Sequence, residues 1–227
     1  MSYPRLTKCM PDESRYNPFF FLHKALRFGH CRMLSGLGTE DYNHEELAGK
    51  QLLKLGQLCE LSRAAIAAEQ VALAPALASC RPEVAASTCQ DHISHLAALA
   101  ELDSLMRAMK VATAQRRNHA GRTIYRCYAL FAAADLARMN NEETALLTCL
   151  QHVLSDEALR LMESCIFQNL SPEQLDTLMR LMLPALTTAE LRTLLSQLEA
   201  DVGPSLFAEL METTVQPIMT SASSAAA

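Results

Sequence analysis

Four long segments of this chain repeat apolar residues every three to four positions, the spacing at which side chains share one face of an α-helix. They cover about residues 18–36, 44–75, 83–109 and 122–149. Only 7 glycines and 9 prolines occur among 227 residues, and Ala, Leu, Met, Glu and Gln are abundant. These residue types favour helices throughout, so the chain is predicted to be all-α.

Short breaks separate the four segments. The first helix is expected to begin at Asn17-Pro18 and to end at Gly36-Leu37-Gly38, a glycine-rich reversal. Arg81-Pro82 divides the second helix from the third, and the polar stretch Gln115–Gly121 is predicted to form a turn before the fourth. Helices joined by short connections lie side by side, which predicts an antiparallel four-helix bundle over residues 17–152.

Shorter helices are predicted after the bundle. Ser155-Asp156-Glu157 is a helix start, and Ser171 and Thr187 each precede Gln or Glu by three residues, the spacing of a capping box. Gly203-Pro204 introduces one more short helix. Residues 153–219 are therefore predicted to be a helical extension packed on the bundle.

Composition and the chain ends exclude several classes of function. The formal net charge is -5, with 20 Lys+Arg against 25 Asp+Glu, so no nucleic-acid partner is predicted. Residues 1–16 form a polar N-terminal extension, and the apolar run Phe19–Leu22 is too short for a signal peptide or a membrane span. A cytoplasmic protein with reduced cysteines is expected, and residues 220–227 are predicted to be a disordered tail.

Five polar side chains fall on the apolar stripes of the four predicted helices. They are His23, Glu69, His92, His95 and Glu142. Imidazole and carboxylate groups that converge from four helices are how helical bundles hold iron or manganese. A buried histidine taken singly is more often a structural residue bonded to a carbonyl group, so the prediction of a metal site rests on the five together.

Five segments, by their order and spacing, connect this chain with a known family. They are Asn17–Arg27, Glu69–Leu77, Asp91–His95, Asp135–Glu143 and Leu183–Arg192. Together they resemble the hemerythrin-like (HHE cation-binding) domain proteins over nearly the whole chain, including the extra C-terminal helices of one branch. The resemblance implies a bundle around a pair of metal ions, usually iron.

In that family, histidines from all four helices hold the metals, and His-x-x-x-Glu pairs on the second and fourth helices provide bridging carboxylates. The resemblance implies that the corresponding ligands are His23 on the first helix and Glu69 on the second. On the third helix the ligand is His92 or His95, and on the fourth it is Glu142.

Two positions depart from the family pattern. Ala65 stands four residues before Glu69, and Arg138 stands four residues before Glu142, so both histidines of the His-x-x-x-Glu pairs are missing. A guanidinium group is permanently charged and cannot be a ligand, but it can neutralise carboxylates in place of a metal. Arg138 shares a helix face with Asp135 and Glu142, so an ion-pair network with them and Glu69 is the alternative to metal.

Two predictions of function follow. The first is a hemerythrin-like protein that binds a non-haem metal, most simply iron, in one or two positions, and thereby oxygen, nitric oxide or a redox signal, or that handles iron. The second is a metal-free relative that keeps the fold as a regulatory or protein-interaction module, with a protein partner or a second copy left open. An enzyme that uses a remaining metal for oxidation or repair is the least favoured class, because no substrate pocket can be identified from the sequence. The sequence also contains no glycine-rich phosphate loop and no G-x-S-x-G motif.

Overall fold

The computed structural model describes residues 10–77 and 82–220, and every regular element in these two ranges is helical. The all-α prediction is therefore confirmed for the described part of the chain. The elements used below are α1 Phe20–Thr39, α2 Glu45–Leu77, α3 Pro82–Lys110, α4 Ala114–Asn141, the π-helical segment Glu142–Leu146, α5 Leu147–Val153, α6 Asp156–Gln168, α7 Pro172–Ala185, α8 Thr188–Val202 and α9 Pro204–Leu210.

The four longest helices contact one another in the cyclic order α1, α2, α3, α4 and back to α1. The end of α4 lies beside the start of α1, where Glu143 Oε1 is 2.9 Å from His23 Nδ1. Tyr42, just after α1, packs on Gly121 near the start of α4, so these two helices are antiparallel. Helix α6 packs on α2, and α7 contacts both α1 and α2.

Two predicted breaks between helices exist but lie at other positions than predicted. Helix α1 continues through Gly36-Leu37-Gly38 to Thr39, because Leu37 is buried in the core and its burial outweighs the low helix propensity of the glycines. Helix α4 begins at Ala114, so the stretch Gln115–Gly121 is helical rather than a turn. Its charged residues face outward, and tertiary packing of Gly121 extends the helix over them.

The fourth predicted helix is not continuous to Cys149. Its regular part, α4, ends at Asn141, and the π-helical segment Glu142–Leu146 follows before α5. A π turn holds an additional residue, so it changes the direction in which the following side chains point. Glu142 and Glu143, the first two residues of this segment, both contact His23.

The later helices begin where the capping signals predict. Ser171 and Thr187 each accept a hydrogen bond from the backbone N–H three residues on, and Gln174 and Glu190 complete the two capping boxes. In the N-terminal extension, Arg15 pairs with Asp156 at the start of α6, at 2.8 Å. Of the predicted tail only Thr220 lies within the described residues, at the end of a helix.

Gly121 is required by its contact with Tyr42, which gives a first testable prediction. A Cβ at this position would overlap the buried Tyr42 ring. We expect Gly121→Ala to lower the free energy of unfolding by about 1–3 kcal/mol, as overpacked cores do. Urea denaturation measures this change.

Gly49→Ala is the matched control, because Gly49 is also helical but a Cβ there meets nothing within 4 Å. Removing backbone freedom from an exposed helical position is expected to stabilise the chain by about 0.5–1 kcal/mol. Equal shifts of the same sign in both variants would contradict the packing of Tyr42 against Gly121.

Candidate functional site

The five side chains predicted from the sequence all lie in the interior of the protein, where each is at most 6% exposed. They are His23 on α1, Glu69 on α2, His92 and His95 on α3, and Glu142 at the first position of the π-helical segment. Four of them meet at one point, and the fifth, His95, lies apart from that point.

His23 has a carboxylate at each ring nitrogen. Its Nε2 is 3.2 Å from Glu69 Oε1 and 3.4 Å from Glu142 Oε2, and its Nδ1 is 2.9 Å from Glu143 Oε1. Phe19 stacks on the imidazole with ring centroids 5.2 Å apart. Carboxylates on both edges of the imidazole, two at Nε2 and one at Nδ1, favour a ring that carries a proton on both nitrogens.

The pKa values of this contact move in the directions that an ion pair requires. Burial opposes a charge on His23, but hydrogen bonds to Glu143 and Glu69 outweigh it and raise the pKa of His23 to about 9. Burial likewise opposes ionisation of Glu69. The Arg138 charge and the hydrogen bond from His23 nevertheless lower the pKa of Glu69 to about 2.

Arg138 lies in the protein interior, between the carboxylate of Glu69 on α2 and those of Asp135 and Glu142. Its Nη1 is 2.7 Å from Glu69 Oε2 and 2.7 Å from Glu142 Oε2, and its Nε is 2.8 Å from Asp135 Oδ1. The Arg138 side chain is 1% exposed, and Glu69 and Asp135 are completely buried. The structure therefore brings together all four residues of the ion-pair network considered from the sequence.

The two candidate histidines of α3 have different surroundings. His92 Nε2 is 3.1 Å from Glu142 Oε1 and 3.7 Å from Glu69 Oε2, so it joins the same pair of carboxylates as His23. His95 Nδ1 donates to a backbone carbonyl one turn earlier, at 2.6 Å. His95 Nε2 lies 3.6 Å from Asp135 Oδ1 and makes no hydrogen bond within the described residues.

Sequence reasoning did not select His30, which is completely buried on α1. Its Nε2 is 2.9 Å from Asp135 Oδ2 and its Nδ1 is 2.8 Å from the Tyr128 hydroxyl. Burial favours protonated Asp135, but the hydrogen bond from His30 and the Arg138 charge hold the pKa of Asp135 well below its usual range. The seven-residue spacing from His23 places both histidines on one helix face and was the available signal.

Glu143 was also not selected. It accepts from His23 and from Arg27, whose Nη1 is 2.7 Å away, and it is only partly buried. Adjacent residues of a regular α-helix do not share a face, so the periodicity that selected Glu142 did not select Glu143. No sequence signal identified the π-helical segment.

The charges of the network nearly balance without a metal. Glu69, Asp135 and Glu142 supply three buried negative charges, and Arg138 and protonated His23 supply two positive ones. Burial of such groups is tolerated only when they are paired and hydrogen-bonded, and here they are.

The residues fit one metal ion better than two. One ligand atom from each of His23, Glu69 and Glu142 lies within 4.8 Å of the others, so a single cation is within reach of all three. A metal pair does not fit, because Arg138 already binds both carboxylates to which the family resemblance assigns the bridging of two ions. Even a single ion would have to replace the proton on His23 Nε2.

Searches against known protein families, curated proteins and solved structures give no match to this chain. The hemerythrin-like resemblance therefore rests on the five sequence segments. Among the helices of the described residues, none is both long and apolar enough to cross a lipid bilayer.

A second buried carboxylate lies outside this network. Glu163 on α6 is 9% exposed, and its Oε2 accepts a hydrogen bond from the Tyr16 hydroxyl. Its Oε1 has no hydrogen-bond partner among the described residues. Burial raises the pKa of Glu163 to about 7, against the weaker lowering effects of Tyr16 and Arg160.

Glu163 is therefore expected to make stability depend on pH. An acid whose folded-state pKa exceeds its ordinary value of 4.5 stabilises the fold fully below pH 4.5 and loses that contribution as pH rises toward 7. Relative to the parent, Glu163→Gln is expected to gain about 2–3 kcal/mol between pH 5 and pH 8. Urea denaturation at both pH values tests this, with the exposed Glu101→Gln, which should show no such gain, as control.

Proposed function

We propose that this chain is a hemerythrin-like four-helix bundle in which Arg138 takes the place of a metal centre, and that it acts as a metal-free regulatory or protein-interaction module. The observation that carries the proposal is the position of Arg138 Nη1, 2.7 Å from both Glu69 and Glu142. These are the carboxylates that the family resemblance assigns to metal bridging. A guanidinium group between them supplies the positive charge that a metal would supply.

The occupancy of the carboxylate oxygens supports this proposal. Glu69 contacts His23 through Oε1 and Arg138 through Oε2. Glu142 contacts His92 through Oε1 and Arg138 through Oε2. Each oxygen therefore already has a cationic or hydrogen-bonding partner, and a gas-binding centre needs an open coordination position in addition to its protein ligands.

The network also connects the four long helices, as a metal ion with ligands from each helix would do. His23, Glu69, His92 and Arg138 come from α1, α2, α3 and α4 respectively, so their contacts join all four long helices. Buried polar networks of this kind specify one arrangement of the helices in some proteins. Because the buried polar residues have a structural role in this proposal, other molecules would be recognised by the outer surface of the protein.

Elemental analysis tests the proposal. The full chain is purified without an affinity tag or chelator, and its metal content and visible absorption are measured in air and after reduction. We expect no stoichiometric metal, also after anaerobic incubation with ferrous iron. Stoichiometric iron with a charge-transfer absorption band would contradict the proposal and favour a role in oxygen, nitric oxide or redox sensing, or in iron handling.

A single divalent ion is the second candidate, and the His23 contacts favour it. Metal-binding histidines commonly donate their other ring N–H to a carboxylate, as His23 Nδ1 does to Glu143. His23, Glu69 and Glu142 would hold the ion, with His92 beside them. A bound iron would supply redox chemistry and gas binding, while Glu143 would orient the imidazole.

Thermal unfolding with added metal separates the two candidates. Under the second candidate, Fe²⁺ or Zn²⁺ at 100 times its dissociation constant stabilises the fold by about 2.7 kcal/mol. That stabilisation should vanish in His23→Gln and persist in His119→Gln, which changes an exposed histidine on α4. Under the metal-free proposal, none of the three proteins is stabilised.

A further inference from the structure

A pocket of about 490 Å³ lies on the outer surface where α1, α2 and α7 meet, away from the buried network. Its apolar lining residues are Gly29, Met33, Leu58 and Leu181. Gly29 allows this packing, because a Cβ there would lie 3.1 Å from Leu181 Cδ1 and 3.2 Å from Leu58 Cδ1. The volume is within the range of small-molecule sites.

Each of the three helices contributes one cationic side chain to the lining of this pocket: Arg32 from α1, Lys54 from α2 and Arg180 from α7. One carboxylate, Asp176, shares the lining and pairs with Arg180 at 2.8 Å and 3.1 Å. No carboxylate of the described residues lies within 4.0 Å of Arg32 or Lys54 in an ion pair. Arg32 lies over the Phe28 ring, 5.5 Å from its centroid, and this contact leaves its positive charge without an acidic partner. Two positive charges without acidic partners therefore line one pocket in a chain whose formal net charge is -5.

A neutral donor adds to these charges. Gln51 Nε2 lies 3.4 Å from the Met33 sulfur, and a thioether is a weak hydrogen-bond acceptor. The Gln51 amide packs against Gly36 of α1, where a Cβ would displace it. An anion in the pocket would offer this amide a stronger acceptor than sulfur.

We propose that this pocket binds a small organic anion, with its carboxylate or phosphate group at Arg32 and Lys54 and an apolar body on the Met33, Leu58 and Leu181 surface. Guanidinium and ammonium groups are the side chains that recognise such anions, and the apolar lining residues offer contacts to a hydrocarbon body that a bare ion lacks. The inference is independent of the Arg138 network, because none of the pocket residues belongs to it.

Isothermal titration calorimetry of the full chain with octyl phosphate and with octanoate, each below its micelle concentration, tests the proposal. We expect saturable binding of one molecule per chain and much weaker binding of inorganic phosphate and of octanol. In the double variant Arg32→Gln/Lys54→Gln the dissociation constant is expected to rise at least about tenfold, the cost of losing hydrogen bonds to charged groups. Both residues are exposed, so the fold should persist, and circular dichroism checks this.

Arg116→Gln/Arg126→Gln is the matched control, because it removes two exposed positive charges on α4 outside the pocket. It should bind octyl phosphate like the parent. Absence of saturable binding, or equal weakening in both double variants, would overturn the proposal. So would binding to phosphatidate vesicles without binding to monomeric octyl phosphate, because the ligand would then be a membrane headgroup.

Discussion

Arg138→Ala is expected to lower the free energy of unfolding by about 3–5 kcal/mol, the range found when one partner of a buried ion pair is removed. Glu69 and Asp135 are completely buried, and Glu142 is nearly so. Without the guanidinium, these carboxylates have to remain ionised with fewer partners or to take up protons. Either outcome costs free energy in the folded state and none in the unfolded state. Urea or thermal denaturation at pH 7 measures the loss.

Arg180→Ala provides the comparison at the surface. Arg180 pairs with Asp176 at 2.8 Å with the i,i+4 spacing that Arg138 has to Glu142, but the two side chains are 60% and 51% exposed. Its replacement should cost less than about 0.5 kcal/mol. A loss below about 1 kcal/mol in Arg138→Ala would contradict the burial of the network.

The double variant Arg138→Ala/Glu142→Gln tests whether unpaired charge is the cause. Replacing Glu142 by glutamine removes one of the carboxylates left without the guanidinium. The double variant is expected to be destabilised by less than the sum of the two single variants, since residues in one network are not additive. Strict additivity would indicate that lost side-chain packing, rather than charge, accounts for the effect.

The helical class and many helix starts were accessible from the sequence, because both depend on local chemistry. Periodic apolar residues predicted α1 to α4, and Ser171 and Thr187 predicted the starts of α7 and α8. The errors arose at positions where tertiary contacts determine whether a residue is helical. Gly121 reads as a turn residue, but it lies inside α4 because the Tyr42 ring packs against it.

From the sequence, the candidate site was predictable only as polar residues on the inward faces of separate helices. Periodicity placed His23, Glu69, Glu142 and Arg138 on inward faces, where the structure has them. Which atoms meet depends on how the helices are rotated and shifted, and periodicity does not determine that. His95 illustrates the limit, because it lies one turn from His92 on the same helix face, yet its Nε2 is nearest to Asp135.

His23 is expected to make the fold less stable as pH rises from 6.5 to about 9. The pKa of His23 is raised from 6.5 to about 9, so the folded state binds this proton more tightly than the unfolded state. The contribution is fully present below pH 6.5 and is lost as pH approaches 9. Its size is about 3 kcal/mol, since one unit of pKa is about 1.4 kcal/mol. Urea denaturation at pH 6, 7, 8 and 9 with EDTA present measures it.

The comparison of His23→Gln with the parent isolates this proton from other titrating groups. His23→Gln is expected to be less stable than the parent at pH 6, because Glu69 and Glu142 lose a cationic partner. The difference should shrink toward pH 9, where the parent loses the same charge. The exposed His119→Gln should follow the parent at every pH. A difference between parent and His23→Gln that stays constant with pH would mean that His23 is neutral in the fold and forms no ion pair with Glu69 or Glu142.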